Sequence, residues 1–512
     1  MTDTPNVDSS SDIPQVRRLG TPAGLRDHLA RLGCELPVVD AVDPNGPLSR
    51  THDVDGMTLH NRFAVLPMEG WDGTADGRPT DLVVRRWRRF GESGAALVWG
   101  GEAVAVVPEG RANPNQLFIG PESAADLTTL HTTVTDAHRA AMGGATPVVG
   151  LQLTHSGRWS RPDGSAQPRT AYRHPLLDER VDATDASLLT DAELDDLVAA
   201  YVRGATLAAD AGFDFVDVKH CHGYLLHELL SGHDRPGAYG GSFEGRTKFL
   251  REVVSGVRSA APGLRIGVRL SAFDVVPHVV GPDGLGVPAT HEPYRWTFGP
   301  DPEALADGTA DSSDLTETHR FCDLLGELGI ELLCMTGASP YWAPHAQRPA
   351  YFPPSDGYLP PRDPLADVHH MQVVTRQIVT AHPHLTVVGS GLTYLQDFLP
   401  HAAEGLVRDG WMHVAGIGRM VLSHPTLPAR VLAGQDLDRR LVCRTFSDCT
   451  TAPRNGLVSG CWPLDDEYKQ RPERVELTRA KRAAEAARGG RSRRAGRTDT
   501  TGGAGDTSAD QE

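Results

Sequence analysis

Two short segments, Gly389-Ser390-Gly391 and Gly416-Ile417-Gly418-Arg419, combine residue types that can hold an anion. Glycine has no Cβ, so backbone N–H groups can approach a charged oxygen, and arginine adds a bidentate positive fork. Either segment alone reads better as an ordinary tight turn; two of them, correctly placed, make the two readings about even. Polar residues end other apolar runs as well: Pro67-Met68-Glu69-Gly70-Trp71, Gln152-Leu153-Thr154-His155, Lys219-His220-Cys221-His222-Gly223-Tyr224, Arg269-Leu270-Ser271 and Met335-Thr336-Gly337. A lysine held at such an end has an amine that can form a Schiff base, one chemistry open to Lys219.

These ends need a scaffold. Eight apolar runs read as strands: Arg62–Met68, Ala96–Gly100, Pro147–Leu153, Phe215–Lys219, Arg265–Leu270, Glu331–Met335, Thr386–Gly389 and Met412–Gly416. Continuous apolar strands are buried on both faces, as in a parallel sheet covered by helices. Amphipathic helices lie between them. The clearest is capped by Thr190, with Glu193 completing a capping box, and carries Leu194, Leu197, Val198, Tyr201, Val202, Ala205 and Ala208 on one stripe before Gly212 closes it.

Eight strand–helix units over residues 51–440 place the chain in the α/β class as a (β/α)8 TIM barrel with long loop insertions. The competing doubly wound sheet usually shows a Gly-x-Gly-x-x-Gly turn after an early strand, which is missing. In a barrel the chemistry sits at the C-terminal strand ends, and the loops after strands 7 and 8 often bind phosphate. The two glycine turns fall there. Around the barrel, residues 1–50 form an N-terminal extension with a helix over Pro22–Leu32. Residues 441–470 form a cysteine-containing extension, and 471–512 a short charged helix and a disordered tail. The Gly-, Pro- and Asp-rich insert Val275–Asp314 follows strand 5 on the active face and is expected to shape the pocket.

Composition narrows the function class. Of 512 residues, 39% are hydrophobic and 23% charged, which suits a soluble globular chain with a large core. There is no 18-residue apolar run to cross a membrane, and the polar, acidic start lacks signal-peptide features. Seven cysteines, an odd count without an export signal, read as reduced thiols in a cytoplasmic protein. A net charge of −16 argues against a nucleic-acid-binding body. Arg471–Arg497 carries ten Lys or Arg against three Asp or Glu, read as a solvated tail rather than a docking site for an acidic partner.

Taken together, several segments resemble the old yellow enzyme family of FMN-dependent NADH:flavin oxidoreductases. They are Asn61-Arg62-Phe63-Ala64-Val65-Leu66-Pro67-Met68, Glu102-Ala103 through Pro108-Glu109-Gly110-Arg111, and Gln152-Leu153-Thr154-His155-Ser156-Gly157-Arg158. To these are added His222-Gly223-Tyr224, Tyr239-Gly240-Gly241-Ser242, Val268-Arg269-Leu270-Ser271 and Gly418-Arg419, in the family's order from about Pro47 to Leu432.

The resemblance implies one FMN across the barrel mouth, NAD(P)H as reductant, and a small-molecule acceptor such as an activated alkene. Pro67 and Met68 would underlie the ring beside Ala103, Gln152 would bond the pyrimidine edge, and Arg269 would face the N1/O2 edge. Gly389, Gly391, Gly418 and Arg419 would hold the phosphate. His222 would be the second of two donors to the substrate oxygen and Tyr224 the proton donor. An ordinary tyrosine is protonated at pH 7, as an acid must be. A homo-oligomer is compatible with the resemblance.

Three departures stand out. Lys219 occupies the first donor's position, usually His, which favours an acidic or strongly polarised substrate. Glu69 stands where Thr or Cys is common beside the flavin's reactive edge, and a carboxylate cannot form a thioether. Gly245 replaces an Asn. Longer members also carry a [4Fe–4S] cluster. Cys443, Cys449 and Cys461 fit three of its four ligand positions and Phe446 takes the other; this departure implies a vestigial module without a stable cluster, three ligands with an open iron being the alternative. Two other functions remain open: a Schiff-base, aldolase-like lyase using Lys219, and a flavin-binding protein without turnover.

Overall fold

In the computed structural model, which describes residues 13–290, 296–301 and 314–498, eight strands close on themselves. They are β1 (Phe63–Val65), β2 (Leu97–Val98), β3 (Val148–Thr154), β4 (Phe215–Val218), β5 (Arg265–Ser271), β6 (Leu332–Thr336), β7 (Thr386–Gly389) and β8 (Val414–Ile417). Every neighbouring pair is parallel, and β8 pairs with β1 to complete the (β/α)8 barrel. All eight expected strands are present, with ends displaced by a few residues. β1 is shorter than its apolar run because Pro67 has no N–H for the ladder. A further strand, Ala103–Ala105, pairs with the C-terminal half of β3 and was not anticipated.

Apart from Asp217, the residues of β4 are apolar, and all are buried. Trp99 and Phe215 meet edge to face inside the barrel with centroids 5.3 Å apart. The hairpin of His52–Val54 and Met57–Leu59 packs Val54, Met57 and Leu59 against this interior. The expected capped helix, Asp191–Asp210, begins as read: Thr190 Oγ1 accepts from Glu193 N at 3.2 Å, and Thr190 N donates to Glu193 Oε2 at 2.8 Å. Its stripe faces the core, with Gly212 at φ +95° behind it.

The N-terminal helix spans Pro22–Arg31, as expected. Residues beyond 440 pack back on the barrel: Arg85 forms two 2.9 Å bonds to Asp465, and Trp462 and Tyr468 pack together. The C-terminal helix is a correction. It runs Arg474–Thr498, 25 residues rather than a short element, in keeping with its Ala, Arg, Glu and Lys content. Arg488 on this helix donates to Pro354 O and Gly357 O, each at 3.3 Å. Residues 499–512, where the tail was expected to be disordered, lie outside the described residues, as does much of the insert after β5. The described part of that insert includes an antiparallel hairpin, His278–Val280 with Gly286–Pro288. Among the described residues no helix is long and apolar enough to cross a membrane.

Candidate active site

The C-terminal end of β1 delivers Pro67, Met68 and Glu69 to the barrel mouth, where Met68 N donates to Gly101 O at 2.9 Å. Behind this loop sits a buried ion cluster. Arg86 donates to Asp72 through both Nη atoms at 2.8 and 2.6 Å and to Glu102 Oε1 from Nε at 2.9 Å. Trp87 Nε1 also reaches Glu102 Oε1, at 3.2 Å. The cluster leaves no room for a side chain at position 70. A Cβ there would lie 2.3 Å from Glu102 Oε2 and 2.4 Å from Arg86 Nη2. Gly70 therefore lets the loop carrying Glu69 lie directly on the charges.

The floor is organised by Asp217, which the sequence reading missed. Its Oδ2 accepts from Gln152 Nε2 at 2.6 Å and from Trp99 Nε1 at 2.8 Å, and its Oδ1 accepts from the Arg269 backbone N–H at 2.7 Å. Burial raises this carboxyl's pKa, opposed by the donors from Gln152 and Trp99 and by the nearby Arg269 charge. A lone carboxylate inside an otherwise apolar strand was the available signal. The Gln152 amide is thus fixed, and Ala103 lies in register beside Gln152. Arg269 is 5% exposed, and its Nε has no hydrogen-bond partner.

Lys219, His222 and Tyr224 converge with Glu69. Tyr224 Oη donates to Glu69 Oε2 at 2.5 Å and lies 3.1 Å from Tyr341 Oη. Lys219 Nζ stands 3.8 Å from Glu69 Oε2 and 3.8 Å from the centroid of the Tyr224 ring. Burial lowers the Lys219 pKa while Glu69 opposes that shift. Burial also moves Tyr224 well above the ordinary tyrosine value, reinforced by Glu69 and Tyr341. His222 adopts φ +66° and is pushed well below the ordinary histidine value, first by burial and then by Arg269 and Lys219. Its Nε2 faces Gln347 Nε2 at 3.0 Å, so the neutral ring accepts from the amide. Tyr341 stacks on Trp159 at 4.3 Å, with the rings 7° from parallel. Tyr341, Gln347 and Trp159 come from connections between strands to which sequence reasoning gave no role.

The opposite side of the mouth carries the glycine turns. Gly391 has φ +82°, which favours glycine, and Gly418 faces open space apart from Met68 Sδ, 3.9 Å from a Cβ position. Arg419 donates through Nη2 to Pro349 O at 2.7 Å, leaving its buried Nη1 without a partner. Arg348, also missed, bonds Thr450 through Nη1 while its buried Nε and Nη2 are unpartnered. Its pKa is lowered by burial and by the charges of Arg454 and Arg419.

Residues after 440 close this side. Trp71 N donates to Ser459 Oγ at 2.9 Å, Tyr351 N to Thr445 Oγ1 at 3.2 Å, and Phe446 stacks on Phe352 at 5.6 Å. Cys443, Cys449 and Cys461 are free thiols. Among the described residues no three His, Cys, Asp or Glu side chains are grouped to hold a metal ion.

Comparison with known proteins places this mouth in context. The sequence profile of the NADH:flavin oxidoreductase / NADH oxidase family matches residues 51–281. An NADPH dehydrogenase of Geobacillus thermodenitrificans is 33% identical over 255 residues, covering 48% of this chain and 67% of that protein. The chain belongs to the NADH:flavin oxidoreductase / NADH oxidase family. A second family member, an NADPH dehydrogenase of Halalkalibacterium halodurans, is 33% identical over 232 residues, but these cover 64% of its length and 44% of this chain. The chain thus spans just under two thirds of that relative. Among solved structures, a 2-naphthoyl-CoA reductase complex shares the fold at TM-score 0.61 and 15% identity, over 82% of this chain and 57% of its own. Morphinone reductase in complex with tetrahydroNAD does so at TM-score 0.52 and 21% identity, over 77% and 92%. The profile stops before β6, short of the Leu432 limit read from the motifs.

Proposed function

We propose that the chain is an FMN-dependent oxidoreductase that oxidises NAD(P)H and reduces an activated alkene or a related acceptor. The observation that carries this reading is the pairing of unsatisfied cations across one mouth. Arg269 Nε is unpartnered at one end, and Arg348 Nε and Nη2 and Arg419 Nη1 are unpartnered beside the glycine turns at the other. Buried donors without partners are costly, so such a mouth fits a ligand bearing an anion at each end. A flavin mononucleotide has that character, with a phosphate at one end and, at the other, the electron-rich N1/O2 edge on which the reduced ring carries its negative charge. Gly389, Gly391, Gly418 and Arg419, joined by Arg348, would hold the phosphate. Pro67, Met68 and Ala103 would support the ring, with Gln152 and Arg269 at its polar edge. Bound there, FMN supplies two-electron transfer between nicotinamide and acceptor.

The chain's own residues then position and protonate the acceptor. Lys219 and His222 are the donors to its electron-rich oxygen, and Tyr224 holds the proton. The printed names of the relatives support nicotinamide as reductant. Schiff-base chemistry at Lys219 is the weaker reading: burial lowers the Lys219 pKa, as such chemistry would need, but the matched relatives are NADPH dehydrogenases. An absorption spectrum before and after anaerobic NAD(P)H tests the proposal. A yellow protein that bleaches is expected. A colourless protein would reject it, and a yellow one that does not bleach would indicate binding without turnover.

Two further outcomes are expected. The flavin is non-covalent, since Glu69 offers no thiol, so acid precipitation releases all of it and flavin kept in the pellet would contradict this. Phenolates bind over the oxidised flavin with a long-wavelength absorption band. Lys219→Ala weakens them about 10–150-fold, the worth of one charge-assisted hydrogen bond. Unchanged phenolate affinity would remove Lys219 from the pocket.

A further inference from the structure

His222 and Tyr224 are carried by a turn of uncommon backbone. His222 has φ +66° and Gly223 φ +75°, two left-handed residues in succession. Glycine takes this conformation freely, whereas a histidine there is strained and stays only where its surroundings over-determine it. The ends of β5 and β6 supply part of the grip. His222 N donates to Ser271 Oγ at 3.1 Å, and Ser339 Oγ donates to His222 O at 2.8 Å. Gly223 N is held from within the segment itself, donating to His227 Nδ1 at 2.8 Å. We propose that His227 is a positioning residue for the acceptor site, its Nδ1 fixing the turn that aims His222 and Tyr224. This deepens the function proposed above and rests on it.

His227 lies on the short helix Leu225–Leu230 and is 1% exposed. It packs nearly parallel to Trp342, with ring centroids 6.2 Å apart and 15° between the planes. Gly223 is pressed on the same indole, since a Cβ there would fall 2.2 Å from a Trp342 ring carbon. The turn is thus packed against Trp342 and bonded to the ring that Trp342 covers. A backbone N–H can only donate, so Nδ1 carries no proton and the neutral ring has its proton on Nε2. Nε2 stands 3.2 Å from Asp274 Oδ2, off the line of a good hydrogen bond but close enough for the carboxylate to favour that tautomer. Asp274 is itself held by Phe298 N, which donates to Oδ2 at 3.2 Å, so the insert after β5 supports the same arrangement. A side chain without an acceptor in place of Nδ1 would leave the Gly223 N–H buried and unpaired, and the turn would relax away from its left-handed form.

The test sets His227→Leu against His227→Asn in flavin-loaded protein. Leu keeps an apolar side chain of similar reach with no acceptor, whereas Asn places Oδ1 where Nδ1 stands. His227→Leu is expected to weaken a phenolate at least about fivefold, the low end for an unpaired buried N–H, and to shift its long-wavelength band. His227→Asn returns most of the affinity and the wild-type band. A residue that merely filled the core would give the reverse order, with Leu tolerated better than Asn. A second readout needs neither flavin nor turnover: with isotope-labelled glycine and histidine, a magnetic coupling across the hydrogen bond joins Gly223 N to His227 Nδ1 in the flavin-free wild type. No such coupling, or wild-type phenolate affinity and band in His227→Leu, or His227→Asn binding no better than His227→Leu, would overturn the inference. If His227→Leu does not fold, the coupling and the affinity of His227→Asn against the wild type still decide it. Wild-type protein that holds flavin but binds no phenolate would instead overturn the donor role given to His222 in the function above.

Discussion

Arg86→Met is expected to cost on the order of 3–5 kcal/mol of stability, the range for removing one partner from a buried ion pair. Arg86, Asp72 and Glu102 are 5%, 3% and 1% exposed, so two carboxylates would be left facing each other away from water. The loss should reach the active site because the β1 loop lies on this cluster through Gly70. Denaturant unfolding of the flavin-free protein measures the first effect and flavin titration the second. A midpoint within error of the wild type would mean that water or rearrangement satisfies the carboxylates. Replacing Asp72 and Glu102 as well, by Asn and Gln, should recover much of the stability, because the uncompensated charge is then gone.

The second large effect concerns acid. His155 and His174 are held at about 3 and His220 at about 4, by burial foremost. The hydrogen bonds agree with the first two shifts. His155 Nδ1 accepts from Gly157 N at 3.0 Å, and His174 Nδ1 accepts from Leu176 N and Leu177 N at 3.1 and 3.2 Å, so protonation would break these bonds. All three rings are neutral in the fold, whereas in the unfolded chain they take up protons below about 6.5. The unfolded state binds more protons in this window, so stability is full above about pH 6.5 and falls as pH drops toward 4. At pH 5 each ring contributes a loss of about 2 kcal/mol, and the three together on the order of 6 kcal/mol. Thermal unfolding at pH 7 and pH 5 checks this; equal midpoints would show that the rings are already solvated or charged.

The barrel was readable because its strands are apolar on both faces and its helices carry one stripe each, patterns that are local in sequence. Lys219, His222 and Tyr224 were readable for the same reason, lying within six residues at one strand end. The rest of the site depends on distances in space that sequence does not record. Gln152 was expected to serve only the cofactor, yet its amide is also spoken for by Asp217, two strand positions before Lys219. Glu69 was noticed as a departure, but its bond to Tyr224 joins residues 155 positions apart. Arg348, Gln347 and Tyr341 sit in the first part of the β6–β7 connection, where the four-residue helix Pro344–Gln347 is too short to give a periodicity to read. The length of the last helix was missed because the Gly, Ser, Thr and Asp content of the tail was read as ending it early.

The segment beyond the barrel ties together loops from opposite sides of the mouth: Ser459 holds the β1 loop, while Thr445 and Thr450 hold the connection after β6. Part of what holds these loops therefore lies outside the stretch matched by the family profile. Inheritance of the flavin floor and inheritance of substrate range are separable in such an arrangement. Lineages could diversify in what they admit by altering the clasp, with the reactive centre left untouched, and kinship measured over residues 51–281 would be blind to the change.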